Sequence, residues 1–220
     1  MLKLTIVYDN EAKPGFTGSW GFAALLETEE ETLLFDTGWD GGLLLENLEK
    51  LEIDPASIRK LVLSHQHWDH IGGVPEILRA SPGLTVYVPA SFSKNMKAEI
   101  AKRASLVEIS ESREIIPGVR STGELGDKIK EQSLILDSGK ALYVLTGCAH
   151  PGLSAIMDSA LSFGKVRGII GGLHDSKEFD RLEGLELVAA GHCTTHKEEI
   201  KKLFKEEYVE IGAGLRIELE

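Results

Sequence analysis

The chain opens on a mostly apolar run, Leu2 to Tyr8, and similar runs recur at Gly21 to Glu27, Thr32 to Asp36 and Lys60 to Ser64. Apolar stretches this short, bounded by glycine, aspartate or proline, predict buried strands. Between the third and the fourth, leucines at helical spacing predict an amphipathic helix over Leu43 to Leu51, followed by Asp54-Pro55. A short helix near Val74 to Arg79, a strand from Leu84 to Val88 and a helix from Ser91 to Ala104 come next. Strand-like pieces at Leu106 to Ile109 and Val119 to Thr122 then give way to a polar stretch, Gly126 to Gln132, that reads as a loop.

The second half repeats this logic. Ser133 to Asp137 and Lys140 to Thr146 flank Ser138-Gly139 as a β-hairpin, which runs into Gly147-Cys148-Ala149-His150-Pro151-Gly152. A helix over Ser154 to Phe163 precedes a strand, Val166 to Ile170, that leads to Gly171-Gly172-Leu173-His174-Asp175. Another strand, Leu185 to Ala189, leads to Gly191-His192-Cys193, and a helix with a solvated Lys and Glu face covers His196 to Lys205. Three strands thus end in a Gly-flanked histidine. Strands of one sheet present their ends along a common edge, so His150, His174 and His192 are expected to converge.

What they converge on is the cluster His65-Gln66-His67-Trp68-Asp69-His70, set directly after the fourth strand and followed by Gly72-Gly73. Three imidazoles and a carboxylate crowded at a strand end would repel or desolvate one another unless a cation drew on their lone pairs. Imidazole with carboxylate suits zinc, iron or manganese. The alternative is a set of solvated loop histidines, which fits a lone histidine better than this arrangement.

Composition narrows the partners. At 220 residues, 42% hydrophobic and 27% charged, residues 1–220 read as one compact domain with a substantial layered core. A formal net charge of −11 with no basic stripe argues against nucleic acid as a partner and for a small-molecule substrate. The amino-terminal run is too short for a signal peptide or a membrane span, so a cytoplasmic protein with no membrane partner is expected. Scarce Asn and Gln beside abundant Lys and Glu resemble the composition of thermophile proteins. Cys148 and Cys193 each lie within two residues of a histidine, and in a cytoplasmic chain that favours proximity to a metal over a structural disulfide.

The cluster, Leu34-Phe35-Asp36-Thr37-Gly38 upstream of it and the late Gly191-His192 together resemble the metallo-β-lactamase superfamily, whose signature is His-x-His-x-Asp-His. Tyr8-Asp9-Asn10, Trp20-Gly21-Phe22, Thr146-Gly147-Cys148-Ala149-His150, Gly171-Gly172-Leu173-His174 and His192-Cys193-Thr194 resemble, more narrowly, its metal-dependent hydrolase group related to the dihydropterin ribofuranosylaminobenzene phosphate synthase of methanopterin biosynthesis. The resemblance implies an α/β fold, a four-layer αββα sandwich with the metal site at one edge. It implies two divalent ions, zinc first, with iron or manganese as alternatives. His65, His67 and His150 would hold one; Asp69, His70 and His192 would hold the other.

The chain departs from the superfamily at Cys148, which follows Thr146-Gly147 where an aspartate usually bridges both ions. Either His150 replaces an absent ligand or Cys148 supplies a thiolate, which suits zinc or ferrous iron. His174 reads as a ligand, a group behind the ligands or a substrate contact. Asp36 reads as a hydrogen-bond acceptor that orients a ligand loop, or as a ligand itself. Asp9, Asn10, Trp20 and Trp68 are candidate substrate-site residues, with turn and packing roles as the alternative. His196 is expected to be solvated.

The chemistry implied is hydrolysis of a small phosphorylated or ester-containing substrate by metal-activated water, with Asp69 orienting that water. A second expectation is a pterin-type transferase that releases pyrophosphate. A di-iron redox enzyme comes third, because no flavodoxin-like domain accompanies the chain.

Overall fold

The computed structural model describes residues 2–220. In chain order its strands are β1 (Leu2–Tyr8), β2 (Ala23–Glu27), β3 (Thr32–Phe35), β4 (Lys60–Val62), β5 (Thr85–Pro89), β6 (Ser105–Ile109), β7 (Glu111–Ile116), β8 (Val119–Gly123), β9 (Leu134–Asp137), β10 (Leu142–Thr146), β11 (Val166–Gly172), β12 (Leu187–Gly191) and β13 (Arg216–Leu219). They form a seven-stranded sheet in the order β13-β1-β2-β3-β4-β5-β6 and a six-stranded sheet in the order β12-β11-β10-β9-β8-β7. The helices are α1 (Gly41–Lys50), α2 (Trp68–Ile71), α3 (Val74–Ala80), α4 (Lys94–Ala101), α5 (Leu153–Leu161) and α6 (Lys197–Leu203).

Strand residues alternate between two buried faces, which explains their continuous apolar runs. Leu4, Ile6, Leu26 and Phe35 of the first sheet meet Leu134, Leu136, Leu145 and Ile170 of the second in a core between the sheets. Val7, Leu25 and Leu34 point the other way, against Leu44 and Leu48 of α1, Ile77 of α3 and Ile100 of α4. Val144, Ile169 and Val188 likewise meet Ile156 of α5 and Ile200 of α6. The result is the expected αββα sandwich.

The parallel pairs β3·β4 and β10·β11·β12 matter most for position, because parallel strands deliver their carboxyl ends to the same edge. Among the described residues no helix is long and apolar enough to cross a membrane.

Two strands escaped the sequence reading. β7 (Glu-Ser-Arg-Glu-Ile-Ile) and β13 (Arg-Ile-Glu-Leu) are edge strands with exposed charged positions, so their apolar pattern is diluted. The helix expected from Ser91 starts only at Lys94, where the Ser93 hydroxyl accepts the Met96 amide at 3.3 Å and caps it. The polar stretch 126–132 is a loop as expected, yet Glu131 and Gln132 at its end are fully buried.

Candidate metal centre

The His65–His70 segment leaves β4 and turns at once into α2, whose first bonds run from the His70 and Ile71 amides to the His67 carbonyl. His65 and His67 therefore stand before the helix, and Asp69 and His70 stand within it. Neighbouring loops clamp this turn: the Asp69 carbonyl accepts the Phe22 amide, and the His70 carbonyl accepts both the amide and the hydroxyl of Thr37. Gly72 and Gly73 permit the approach. A Cβ at Gly72 would lie 2.0 Å from the Trp39 carbonyl oxygen, and one at Gly73 2.6 Å from that of Thr37.

Buried carboxylates aim the rings. Asp36, at the end of β3, accepts the Ser64 amide and the Ser64 hydroxyl, each at 2.7 Å, and its Oδ2 accepts Nδ1–H of His70 at 2.7 Å. Because the Ser64 proton goes to Asp36, the Ser64 oxygen is left to accept Nδ1–H of His65 at 2.9 Å. Glu131 does the same for the other sheet, accepting the amides of Cys148, Ala149 and His150 and the His150 Nδ1–H at 2.8 Å. Asn10 takes Nδ1–H of His192 at 3.2 Å, while Asp9 accepts the His192 amide at 2.9 Å. Each of these four imidazoles has its Nδ1 occupied as a donor, so Nε2 presents a lone pair.

Those lone pairs crowd together. His65 Nε2 lies 3.0 Å from His67 Nδ1, and His70 Nε2 lies 3.1 Å from His192 Nε2. Because Nδ1 of both His70 and His192 is already a donor, their facing Nε2 atoms are unprotonated in the neutral rings and repel unless a proton or a cation sits between them. Asp69 Oδ2 is 3.3 Å from His192 Nε2, and Cys148 Sγ is 3.1 Å from His70 Nε2. The potential ligand atoms of His65, Cys148 and His150 form one compact group and those of His70, Cys148 and His192 a second, with the thiol common to both. Donor type, burial and convergence fit divalent cations.

Electrostatics agrees with that fit. Burial and the neighbouring His192 hold His70 down to about 3, and burial, reinforced by His70, lowers His65 well below the usual imidazole range. Burial lowers His67 as well, with His150 adding to it. Burial alone would raise Asp69 and Glu131. Asp69 is nevertheless held well below the carboxylate range by its hydrogen bond to His192 and by the charges of His70 and His192, and Glu131 by the charge of His65 and its hydrogen bond to His150. Burial pushes Asp36 well up, against the pull of its bonds from Ser64. The hydrogen bond from Cys193 and burial push the Cys148 thiol up. His65, His67 and His70 are thus favoured as neutral imidazoles, with Asp69 and Glu131 favoured as carboxylates beside them.

The remaining candidates separate. His174 follows β11 in a left-handed backbone conformation (φ 49°); its ring stacks 4.9 Å from that of His150, bonds Asp175, and is 45% exposed. It stands in the wall of a cleft of about 620 Å³ beside the cluster, with Lys128 and Ile129 from one loop, Pro151 below and Lys177 from another. Trp20 is 54% exposed with its ring 5.2 Å from that of His192, and Trp68 is 69% exposed. Asp9 takes the packing alternative of its sequence reading: it is fully buried beneath His192 and accepts that residue's backbone amide. Asn10 supports the same ring, accepting from its Nδ1 and donating to its carbonyl. His196 is half-buried against Phe179 and lies outside the cluster, where full solvation was expected.

Glu131 and Ser64 act at the site but are not legible there from the sequence, and the Trp39 backbone supports the cluster's turn. Glu131 sits in a polar run beside Lys128 and Lys130, where a carboxylate signals only solvent. Trp39, 56% exposed, packs its backbone against Gly21 and Gly72; the one sequence cue was its place directly after the Asp36-Thr37-Gly38 strand end.

Comparison with known proteins matches these features. The family model of the metallo-beta-lactamase superfamily covers residues 20–159, and the chain belongs to that superfamily, whose fold implies binding of divalent metal. It is 25% identical, over 90% of both chains, to the 7,8-dihydropterin-6-methyl-4-(beta-D-ribofuranosyl)-aminobenzene-5'-phosphate synthase of Methanocaldococcus jannaschii. A solved metal-dependent hydrolase of the beta-lactamase superfamily superposes with a TM-score of 0.82 at 25% identity, covering 100% of this chain and 99% of the other. The short form of human tRNase Z superposes with a TM-score of 0.63 at 16% identity over 99% of each chain, a likeness of fold alone. The chain is an enzyme with the fold of a metal-dependent hydrolase.

Proposed function

We propose that this enzyme hydrolyses a small phosphorylated or ester-containing molecule with a pair of divalent ions. His65, His67 and His150 would hold one ion, and Asp69, His70 and His192 the other, with Cys148 between them. The observation that carries the reading is the pair of close nitrogen contacts, 3.0 Å between His65 and His67 and 3.1 Å between His70 and His192, with Nδ1 of His65, His70 and His192 already taken. Five imidazoles, a carboxylate and a thiol favour zinc, with iron or manganese next. Such ions supply Lewis acidity toward a carbonyl or phosphoryl oxygen and lower the pKa of water toward about 7.

The chain's own groups do the rest. Asp69 is anionic at neutral pH and 14% exposed, so it can orient an attacking water and accept its proton. Asp36, Glu131 and Asn10 fix the ring orientations before substrate arrives. The cleft beside His150 and His174 is of ligand size, and Trp20 extends the surface on the His192 side.

Metal analysis of protein purified without added metal, paired with a screen of phosphodiesters, thioesters and lactones, tests this reading. Two ions per chain and activity abolished by chelator are expected; full turnover without metal would overturn it. A second reading, a pterin-type transferase, draws support from the end-to-end likeness to the methanogen synthase. Pyrophosphate release on mixing a pterin pyrophosphate with an arylamine substrate would select it.

A further inference from the structure

We propose that Cys148 and Cys193 form a reversible disulfide, a covalent modification site set against the metal centre. They are the chain's two cysteines, come from separate loops 45 positions apart, and are both free thiols. The Cys193 thiol nevertheless donates to the Cys148 sulfur at 3.2 Å. A disulfide needs about 2.05 Å, so the sulfurs must close by a little over 1 Å.

The scaffold leaves that movement to the side chains. Glu131 pins the Cys148 amide at 2.9 Å, and Asp9 pins the amide of His192, next to Cys193, at 2.9 Å. Between the loops stands Gly172, whose added Cβ would lie 2.8 Å from the Cys193 sulfur and 3.3 Å from Cys148 Cα. Lack of a side chain there is what allows the thiols to meet.

Exposure sets the order of events. Cys148 is buried and Cys193 half-exposed, so a peroxide oxidant reaches Cys193 first. Its sulfur takes one peroxide oxygen, giving a sulfenic acid and one water. The Cys148 sulfur then attacks that sulfur; the S–O bond breaks, and the hydroxyl leaves with the Cys148 proton as a second water. Two thiols and one peroxide become one disulfide and two waters, and a dithiol reductant reverses the change.

The consequence for the centre rests on the proposed function; the disulfide itself does not. The Cys148 sulfur belongs to both candidate ligand groups and lies 3.1 Å from His70 Nε2. Joined to Cys193, it can no longer serve as a thiolate in either.

The test treats the full-length, metal-loaded protein with hydrogen peroxide and follows free thiols, intact mass, peptide map and metal content. The expected result is loss of both thiols, a mass lower by two hydrogens, a Cys148–Cys193 linked peptide, loss of metal, and recovery on dithiol treatment. Cys193→Ser should form no internal disulfide, and Cys148 should then either keep its thiol or gain oxygen that the reductant does not remove. Two surviving thiols in the parent protein, or added oxygen in place of the linked peptide, would overturn the proposal. A linked peptide with metal content unchanged would leave the disulfide standing and remove Cys148 from the ligand set.

Discussion

Glu131 serves His150 twice through one oxygen: Oε2 accepts the ring N–H at 2.8 Å and the backbone N–H of the same residue at 3.0 Å. The other oxygen accepts the amides of Cys148 and Ala149 at 2.9 and 3.0 Å. One carboxylate thus fixes a loop and the tautomer of a ring on that loop.

Glu131→Gln should therefore weaken metal binding at the His150 side by about 10- to 100-fold while the protein stays folded. Glu131→Ala removes the acceptor for three amides; each one left buried without a partner costs about 1–3 kcal/mol, so unfolding should shift by several degrees or more. Metal titration and thermal unfolding read the two effects. Wild-type affinity in the glutamine variant would mean that His150 is oriented without Glu131.

On the proposed mechanism, in which Asp69 would hold an ion and orient the attacking water, Asp69→Ala should lower kcat by at least about 100-fold. Circular dichroism should stay that of the parent, since the sandwich core lies elsewhere. His196→Ala is the control and should change kcat little, as its ring packs on Phe179 away from the cluster. Near-native turnover in the Asp69 variant would remove its assigned role.

The architecture was legible because strands buried on both faces show as continuous apolar runs, and helices here carry one apolar face. The cluster from His65 to His70 was legible because its chemistry is local. What stayed hidden is what the fold brings from afar. Glu131 reaches His150 across 19 positions, and nothing in a polar run distinguishes an acceptor for buried amides from a solvated surface group; Asp36, which reaches His70 across 34, was by contrast legible as an orienting acceptor from its place at the Asp36-Thr37-Gly38 strand end. Asp9 and Asn10 are legible as candidates near the site, but only the fold shows Asp9 buried beneath His192 and Asn10 hydrogen-bonded to its ring and carbonyl.

Cys148 bears on both halves of the centre. Cys148→Asp should retain two ions and part of the activity, because a carboxylate can take the shared position. Cys148→Ser, with neither thiolate nor carboxylate, should lose affinity at one site. Unchanged titration of the serine variant would assign Cys148 to packing alone.

Removing the ions should make the protein acid-sensitive. His70, held down to about 3, and the lowered His65 and His67 remain neutral in the folded, ion-free protein while their unfolded counterparts protonate near pH 6.5. The unfolded chain then binds more protons, so stability falls as pH drops from about 6.5 toward about 3. The raised Asp36 works in the opposite direction, its folded form keeping a proton that the unfolded form has lost, and offsets part of this. The melting temperature of chelator-stripped protein should decline across that window. A flat profile would show that these imidazoles take up protons without unfolding.

Among the described residues five non-glycine residues carry positive φ, and four of them, Asp36, Ala149, His174 and His192, lie in the loops that follow strands at the edge of the centre; the fifth, Glu52, follows α1. A left-handed conformation costs an ordinary residue about 1–2 kcal/mol, so the fold concentrates its backbone tension where its rings must meet. Selection for greater heat resistance would find that tension hard to relieve without turning an imidazole away from its partners. Stabilising substitutions are therefore expected to be found in the helices and edge strands rather than at the edge where the rings meet.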